Sequence, residues 1–214
     1  GSNFVRRVCD QHPEDEVTVY DALTYAGTLG SIADLIDRKR IRFVRGDVTA
    51  RQQVQEEIAR VDAVVNFAAL SHVDHSIADA EPFLRTNTMG VQQILDSLRK
   101  VGGRRLVHIS TDEVYGEAPP DRWFSEEDSL RPSNPYSASK AAADALILAY
   151  VRTYSVDARI TRCTNTSDNP LSWTRVAHRR RAFLMILVLI PSIVASAFMA
   201  NVLPQKGGTW LEIA

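Results

Sequence analysis

Between residues 16 and 163 the chain switches its hydrophobic period repeatedly, and this alternation limits its fold more than any other feature. "EVTVYD" (16–21), "IRFVRGD" (41–47), "VDAVVNFAA" (61–69), "RRLVHIS" (104–110) and "DARITRC" (157–163) have the apolar character of strands. Between them, "SIADLIDR" (31–38), "ARQQVQEEIAR" (50–60), the stretch 80–101 and the Ala-rich stretch 134–155 have helical periodicity. Pro82 stands near the start of the third helix, and Asn134 followed by Pro135 forms a cap and first position for the fourth. Strands alternating with helices require crossover connections. The expected fold is therefore α/β, a doubly wound parallel sheet with helices on both faces.

Such sheets bind ligands beyond the carboxyl ends of their strands. Those ends are Asp21, Asp47, the "NFAALSH" segment (66–72), the "STDE" segment (110–113) and the stretch from Cys163 onward. A carboxylate placed like Asp21 in a dinucleotide fold accepts hydrogen bonds from both ribose hydroxyls and repels a 2′-phosphate, which favours NAD over NADP. The plainer alternative for Asp21 is a solvated loop acid. Asp47 ends the next strand, within reach of an adenine edge.

Two constellations carry chemistry. In "YSASK", Tyr136 and Lys140 are four residues apart and share a helix face. An ammonium beside a phenol stabilises phenolate, which can take a proton from a substrate hydroxyl as hydride leaves the same carbon. A surface pair at helical spacing is the alternative, and the preceding strand's polar end at Thr111 favours the chemical reading. In "STDEVYG", Thr111 can bond a substrate hydroxyl near Tyr136. Asp112 and Glu113 offer one acid to protonate a leaving hydroxyl and one base to remove a carbon-bound proton. A pair of solvated loop acids is the commoner fate of such a dipeptide.

The 214 residues suffice for one sizeable domain, and a formal net charge of −1 gives no global field for nucleic acid or an acidic membrane. Cys9 and Cys163 show neither metal spacing nor a disulfide framework, which points to a reducing, cytoplasmic compartment. From Ala182 to Leu203 the chain contains no charged residue, a length able to cross a hydrocarbon core of roughly 30 Å. The arginines before it would hold its N-terminal side in the cytoplasm. The expected organisation is a domain over 1–165, a basic linker over 166–181, a membrane-spanning or buried helix over 182–203, and a tail over 204–214.

The segments "YDALTYAG", "VRGDV", "NFAALSHVDHSI", "TNTMGV", "STDEVYG" and "PYSASKAAAD" resemble the NAD-dependent epimerase/dehydratase branch of the extended short-chain dehydrogenase/reductase family. Within it they resemble the nucleotide-sugar 4,6-dehydratases that act on dTDP-glucose. The resemblance runs from Gly1 to about Asn165. It implies a Rossmann-like sheet, NAD as cofactor, a nucleotide-sugar substrate and a homodimer formed through 80–101 and 134–155. It implies that Tyr136 takes the proton from the sugar's 4-hydroxyl, Glu113 the proton at carbon 5, and that Asp112 protonates the hydroxyl leaving carbon 6. By the same resemblance Gly1, Asp21, Ala22, Leu23, Thr24, Asp47, Val48, Phe67, Ala68, Ala69, Thr86, Tyr136 and Lys140 would hold the cofactor. Ser71, Thr111 and Asn165 would hold the substrate. Related epimerases typically carry Ser or Thr where this chain has its acid pair. An epimerase or decarboxylase, and a non-catalytic membrane-tethered module, are the alternatives.

The chain departs from the family pattern in three places. Gly1 matches only the last glycine of a Gly-rich turn, so the first strand is expected to be missing and its neighbours to stand with open edges. Leu70 and His75 replace Glu and Arg. After Asn165 the match stops at "TSDNPLSW", and the part that would close over the nucleotide is not recognisable. These departures predict little or no turnover.

Overall fold

The computed structural model describes residues 1–25, 27–118 and 124–163, and the backbone of 209–213. In chain order, the elements are α1 (Ser2–Gln11), β1 (Glu16–Asp21), α2 (Ala33–Asp37), β2 (Ile41–Arg45), α3 (Arg51–Ile58) and β3 (Ala63–Asn66). They continue with α4 (Val73–Ala78), α5 (Glu81–Phe83), α6 (Gly90–Val101), β4 (Arg105–Thr111), α7 (Pro135–Tyr154), β5 (Ala158–Cys163) and β6 (Thr209–Ile213). All pairings are parallel, and the strand order is β2-β1-β6-β3-β4-β5.

The side chains of the sheet sort by parity, as a doubly covered sheet requires. Val17, Val19, Ala63, Val65, Val107 and Ile109 point to one face, where they pack with Val5, Val8 and Cys9 of α1 and Leu35 of α2. Tyr20, Val64 and Leu106 point to the other, against Val54 and Ile58 of α3, Ile94, Leu95 and Leu98 of α6, and Ala143 and Ile147 of α7. The expected doubly wound parallel sheet is therefore present. Helix α1 is an addition to the expected elements. Its buried stripe of Val5, Val8 and Cys9 is interrupted by Arg6, Arg7 and Asp10, which hides its period.

The slot expected to stand open is occupied. Residues 209–213 lie between β1 and β3, with Val17 opposite Trp210 on one side and Ala63 opposite the same residue on the other. An empty slot would leave two rows of backbone donors and acceptors without ladder partners in the middle of the sheet, and an extended segment satisfies both. The tail expected over 204–214 thus contributes a strand. The apolar helix expected over 182–203 and the linker before it lie outside the described residues. No described helix is long and apolar enough to cross a membrane.

The single helix expected over 80–101 is broken in three. A π-helical turn spans Leu84–Met89 between α5 and α6. Asn87, fully buried, causes the widening: its Oδ1 accepts from Leu70 N at 2.8 Å, and its Nδ2 donates to Leu70 O at 3.0 Å and Ser139 Oγ at 2.9 Å. Beyond the turn, Gly90 lets α6 approach the end of β2; a Cβ there would stand 2.5 Å from Val48 Cγ1. Gly90→Ala should therefore destabilise the fold. Overpacking costs about 1–3 kcal/mol, against roughly 1 kcal/mol gained in helix propensity. Urea unfolding checks this, with a lower midpoint and an unchanged slope expected.

Candidate active site

The acid pair sits where the strand rule places a site. Strand β4 ends at Thr111, and a 3₁₀ turn over Asp112–Tyr115 follows at once. Thr111 caps that turn: its Oγ1 accepts from Glu113 N at 3.3 Å and donates to Asp112 Oδ1 at 3.3 Å. Asp112 and Glu113 are both half-buried, between the closed core and open solvent. The turn ends on Gly116 at φ +82°, where a Cβ would meet Arg131 O at 2.3 Å, so only glycine fits. Burial pushes the Asp112 carboxyl above its ordinary pKa, and the Thr111 hydrogen bond opposes this in part. A carboxyl held in that direction suits a proton donor.

Helix α7 brings the second constellation. Asn134 and Ser137 form a reciprocal capping box with Pro135 at the first turn, as the sequence predicts. Tyr136 and Lys140 are both buried. The backbone N–H of Tyr136 donates to Ser76 Oγ of α4 at 3.1 Å, and Ser139 Oγ bonds Tyr136 O at 2.7 Å. Lys140 Nζ donates to Ile109 O at 2.7 Å, two residues before Thr111 on β4. The Tyr–Lys helix and the acid turn are therefore tied to one strand.

Behind them lies a buried ion pair. Arg162 of β5 donates through Nε to Asp144 Oδ2 of α7 at 2.8 Å and through Nη1 to Tyr115 Oη at 2.6 Å. The Asp144 side chain is fully buried. Burial raises its pKa, offset in part by Arg162, Ser110 and Lys140. Tyr115 belongs to the acid turn, so this pair fixes the turn from below.

The expected cofactor residues surround the same strand ends. Asp21 ends β1 half-buried, with Leu23 N donating to its Oδ1 at 2.6 Å; Leu23 holds a left-handed φ of +53°, a backbone state stored mostly at functional loops. Ala22 and Thr24 flank it. Phe67, Ala68 and Ala69 follow β3, with Phe67 packed on Phe4 of α1 at 5.4 Å between ring centroids. Helix α1 starts on Gly1 without a side-chain cap, an arrangement that a phosphate complements. Ser71 is exposed beyond this loop, and Thr86 is half-buried in the π turn. Asp47 and Val48 follow β2: Asp47 Oδ1 accepts from Thr49 N at 2.8 Å and from Thr49 Oγ1 at 2.7 Å, and the Val48 side chain lies in the core. Asn165 lies outside the described residues. Taken together, the donors and small residues at the ends of β1 and β3 fit a dinucleotide.

Leu70 and His75, the departures from the family pattern, line a cavity of about 210 Å³ with Tyr25 and Phe83. A larger cavity of about 540 Å³ is lined by Asp62, Arg105 and Asp157 at the amino ends of β3, β4 and β5, the wrong end of the sheet for this chemistry. Sequence reasoning missed four buried polar residues near the site: Asn66, Ser76, Asn87 and His108. The one signal for them was a polar side chain inside an apolar run, as with His108 in "RRLVHIS".

The model of the GDP-mannose 4,6 dehydratase family matches residues 1–183. A dTDP-glucose 4,6-dehydratase of Mycobacterium tuberculosis (strain H37Rv) is 51% identical over 167 residues, covering 77% of this chain and 50% of its own. The low-salt glycan biosynthesis protein Agl12 of Haloferax volcanii is 48% identical over 165 residues, covering 77% and 53%. Among solved structures, DesIV, a dTDP-glucose 4,6-dehydratase from Streptomyces venezuelae with NAD and TYD bound, superposes with a TM-score of 0.73. It is 47% identical and covers 76% of this chain and 52% of that one. The chain spans about half the length of the relatives it matches.

Proposed function

Because the chain belongs to the GDP-mannose 4,6 dehydratase family, we propose that it carries the NAD-binding, proton-transferring half of a dTDP-glucose 4,6-dehydratase. The observation behind this reading is the Thr111–Asp112–Glu113 turn on the same strand that anchors Lys140. NAD, when bound, would supply the hydride acceptor for carbon 4 and the hydride source for carbon 6. Asp21, the loop 67–69 and the first turn of α1 would hold it. Tyr136 removes the proton of the 4-hydroxyl, with Lys140 stabilising the phenolate. The 4-ketone so formed acidifies carbon 5. Glu113 takes the carbon 5 proton and Asp112 gives a proton to the hydroxyl leaving carbon 6, so that water departs; with hydride then added at carbon 6, a proton returned to carbon 5 completes the 4-keto-6-deoxy sugar. Thr111 holds the substrate hydroxyl near Tyr136. The partner is a nucleotide sugar. A second copy of the chain would pack on the exposed Leu84, Met89 and Leu148 of the 80–101 and 134–155 helices.

Incubation of the chain with NAD and dTDP-glucose tests the reading. A 4-keto-6-deoxy sugar supports it. Inversion at carbon 4 without loss of water would overturn the dehydratase and assign an epimerase, whereas little or no product with NAD bound is what the departures at Gly1, Leu70, His75 and Asn165 predict for this chain. The raised pKa of Asp112 gives a further expectation. Because the protonated carboxyl is the working form, turnover falls as pH rises through that pKa. Asp112→Asn should cost about 100-fold or more in kcat and remove this alkaline limb from the pH profile.

A further inference from the structure

His108 is fully buried in the middle of β4 and has no role in the proton transfers above. Its ring joins two parts of the site. Asn66, the last residue of β3, lies 3.0 Å away from Nδ1 through its Nδ2, and Lys140 Nζ lies 3.3 Å from Nε2. The Asn66 amide cannot turn freely, because its Oδ1 accepts from Ala68 N at 3.0 Å in the cofactor loop. With Oδ1 so engaged, Nδ2 faces the ring, and Nδ2 only donates. Nδ1 must then be the acceptor, and a neutral imidazole carries its hydrogen on Nε2. That hydrogen faces the Lys140 nitrogen.

We propose that Asn66 and His108 form a tautomer lock behind the Tyr136–Lys140 pair, with His108 a positioning residue that presents an N–H, not a lone pair, to Lys140. This rests on the reading of Tyr136 and Lys140 as the catalytic pair. A lone pair at Nε2 would give the ammonium a second acceptor on its core side, beside Ile109 O. An N–H there leaves Ile109 O as the acceptor on β4, at 2.7 Å, and directs the remaining lysine donors toward the cleft. Burial, and then the charge of Lys140, depress the pKa of His108 well below its ordinary value, in keeping with a neutral ring. Among the described residues, the charged group against the ring is Lys140, and Asp144, paired with Arg162 of β5, follows one turn along α7. Because Asn66 also holds Ala68, the lock links the cofactor loop to the catalytic helix.

The test is long-range proton–nitrogen correlation NMR on the ¹⁵N-labelled full chain, with the His108 signal assigned by its loss in His108→Gln. Expected is a bare Nδ1 and a protonated Nε2 that do not titrate between about pH 5 and 8, where free histidines do. A protonated Nδ1, or an imidazolium appearing in that range, would overturn the lock. Asn66→Asp should reverse the tautomer, since a carboxylate accepts from Nδ1–H; an unchanged tautomer would overturn the role of Asn66. The link to Lys140 has its own readout. In His108→Gln the amide can turn its oxygen to the ammonium, so the Lys140 ¹³Cε signal should titrate at higher pH than in the unsubstituted chain. A midpoint unchanged or lowered would overturn the positioning role. None of these signals depends on turnover. The expected tautomer in a chain that inverts carbon 4 without losing water would sink the dehydratase reading and leave the tautomer assignment standing.

Discussion

Glu113→Gln is expected to reduce formation of the 4-keto-6-deoxy sugar by about 10²–10⁴-fold while leaving dinucleotide binding and thermal stability close to those of the unsubstituted chain. Gln keeps the size of Glu and a carbonyl acceptor, and the backbone N–H of residue 113 still donates to Thr111 Oγ1, so the capped turn persists. What is lost is the carboxylate proposed as the base for the carbon 5 proton. The variant should still carry out the first step, because Tyr136 and Lys140 sit on α7 and are anchored through Tyr136 N to Ser76 Oγ and Lys140 Nζ to Ile109 O, bonds in which Glu113 takes no part. Reduced cofactor should therefore accumulate after mixing with dTDP-glucose, visible by its near-ultraviolet absorbance. Loss of this absorbance change together with turnover would show that Glu113 acts before the elimination. Unaltered turnover would remove it from the mechanism.

The largest stability effect should come from Arg162→Met. Removing the guanidinium leaves the fully buried Asp144 carboxylate without its ion-pair partner, and breaking a buried pair from one side costs about 3–5 kcal/mol. The cost depends on pH in a known direction. The folded-state pKa of Asp144 is already raised by burial, and losing Arg162 raises it further. Below the ordinary Asp pKa both folded and unfolded states are protonated, so the variant should lose little through this carboxyl. As pH rises through the ordinary pKa toward the raised one, the unfolded state ionises first and stability is lost progressively. Urea unfolding of the variant near pH 4 and at pH 8 should show the deficit growing with pH. The double variant Arg162→Met with Asp144→Leu, apolar on both sides, should recover much of it. A pH-independent deficit would mean that Arg162 matters for packing on Tyr115, 4.9 Å from its guanidinium carbon, more than for charge.

What the sequence disclosed follows from how local each signal is. The strands and the long helix α7 were legible because the strands stand as short apolar runs between polar stretches, and because Asn134 and Pro135 announce a helix start. The place of the acid turn was legible because two adjacent carboxylates directly follow a buried strand, and the structure sets both half-buried at that strand's end. The π turn was not, since it depends on Asn87 reaching Leu70 and Ser139, far away in the chain. The core position of Val48 depends on the bare backbone of Gly90, and the service of Asn66 and His108 to Lys140 depends on three strand and helix ends meeting. The strand at 209–213 was illegible for a related reason: five residues carry too little pattern, and both its partners are distant in sequence. Local periodicity decides the layers; long-range polar contacts decide how the site is aimed.

The bond from the Tyr136 amide to the Ser76 hydroxyl has a consequence for local opening. First-turn amides of a helix have no intrahelical acceptor and ordinarily exchange with solvent quickly. Tyr136 N–H instead ends on a hydroxyl that is itself buried and bonded to Val73 O at 2.6 Å. Its deuterium uptake can proceed only when α4 and the start of α7 separate. The Tyr136 amide should thus exchange as slowly as the helix interior, and its rate reports how often those two elements part.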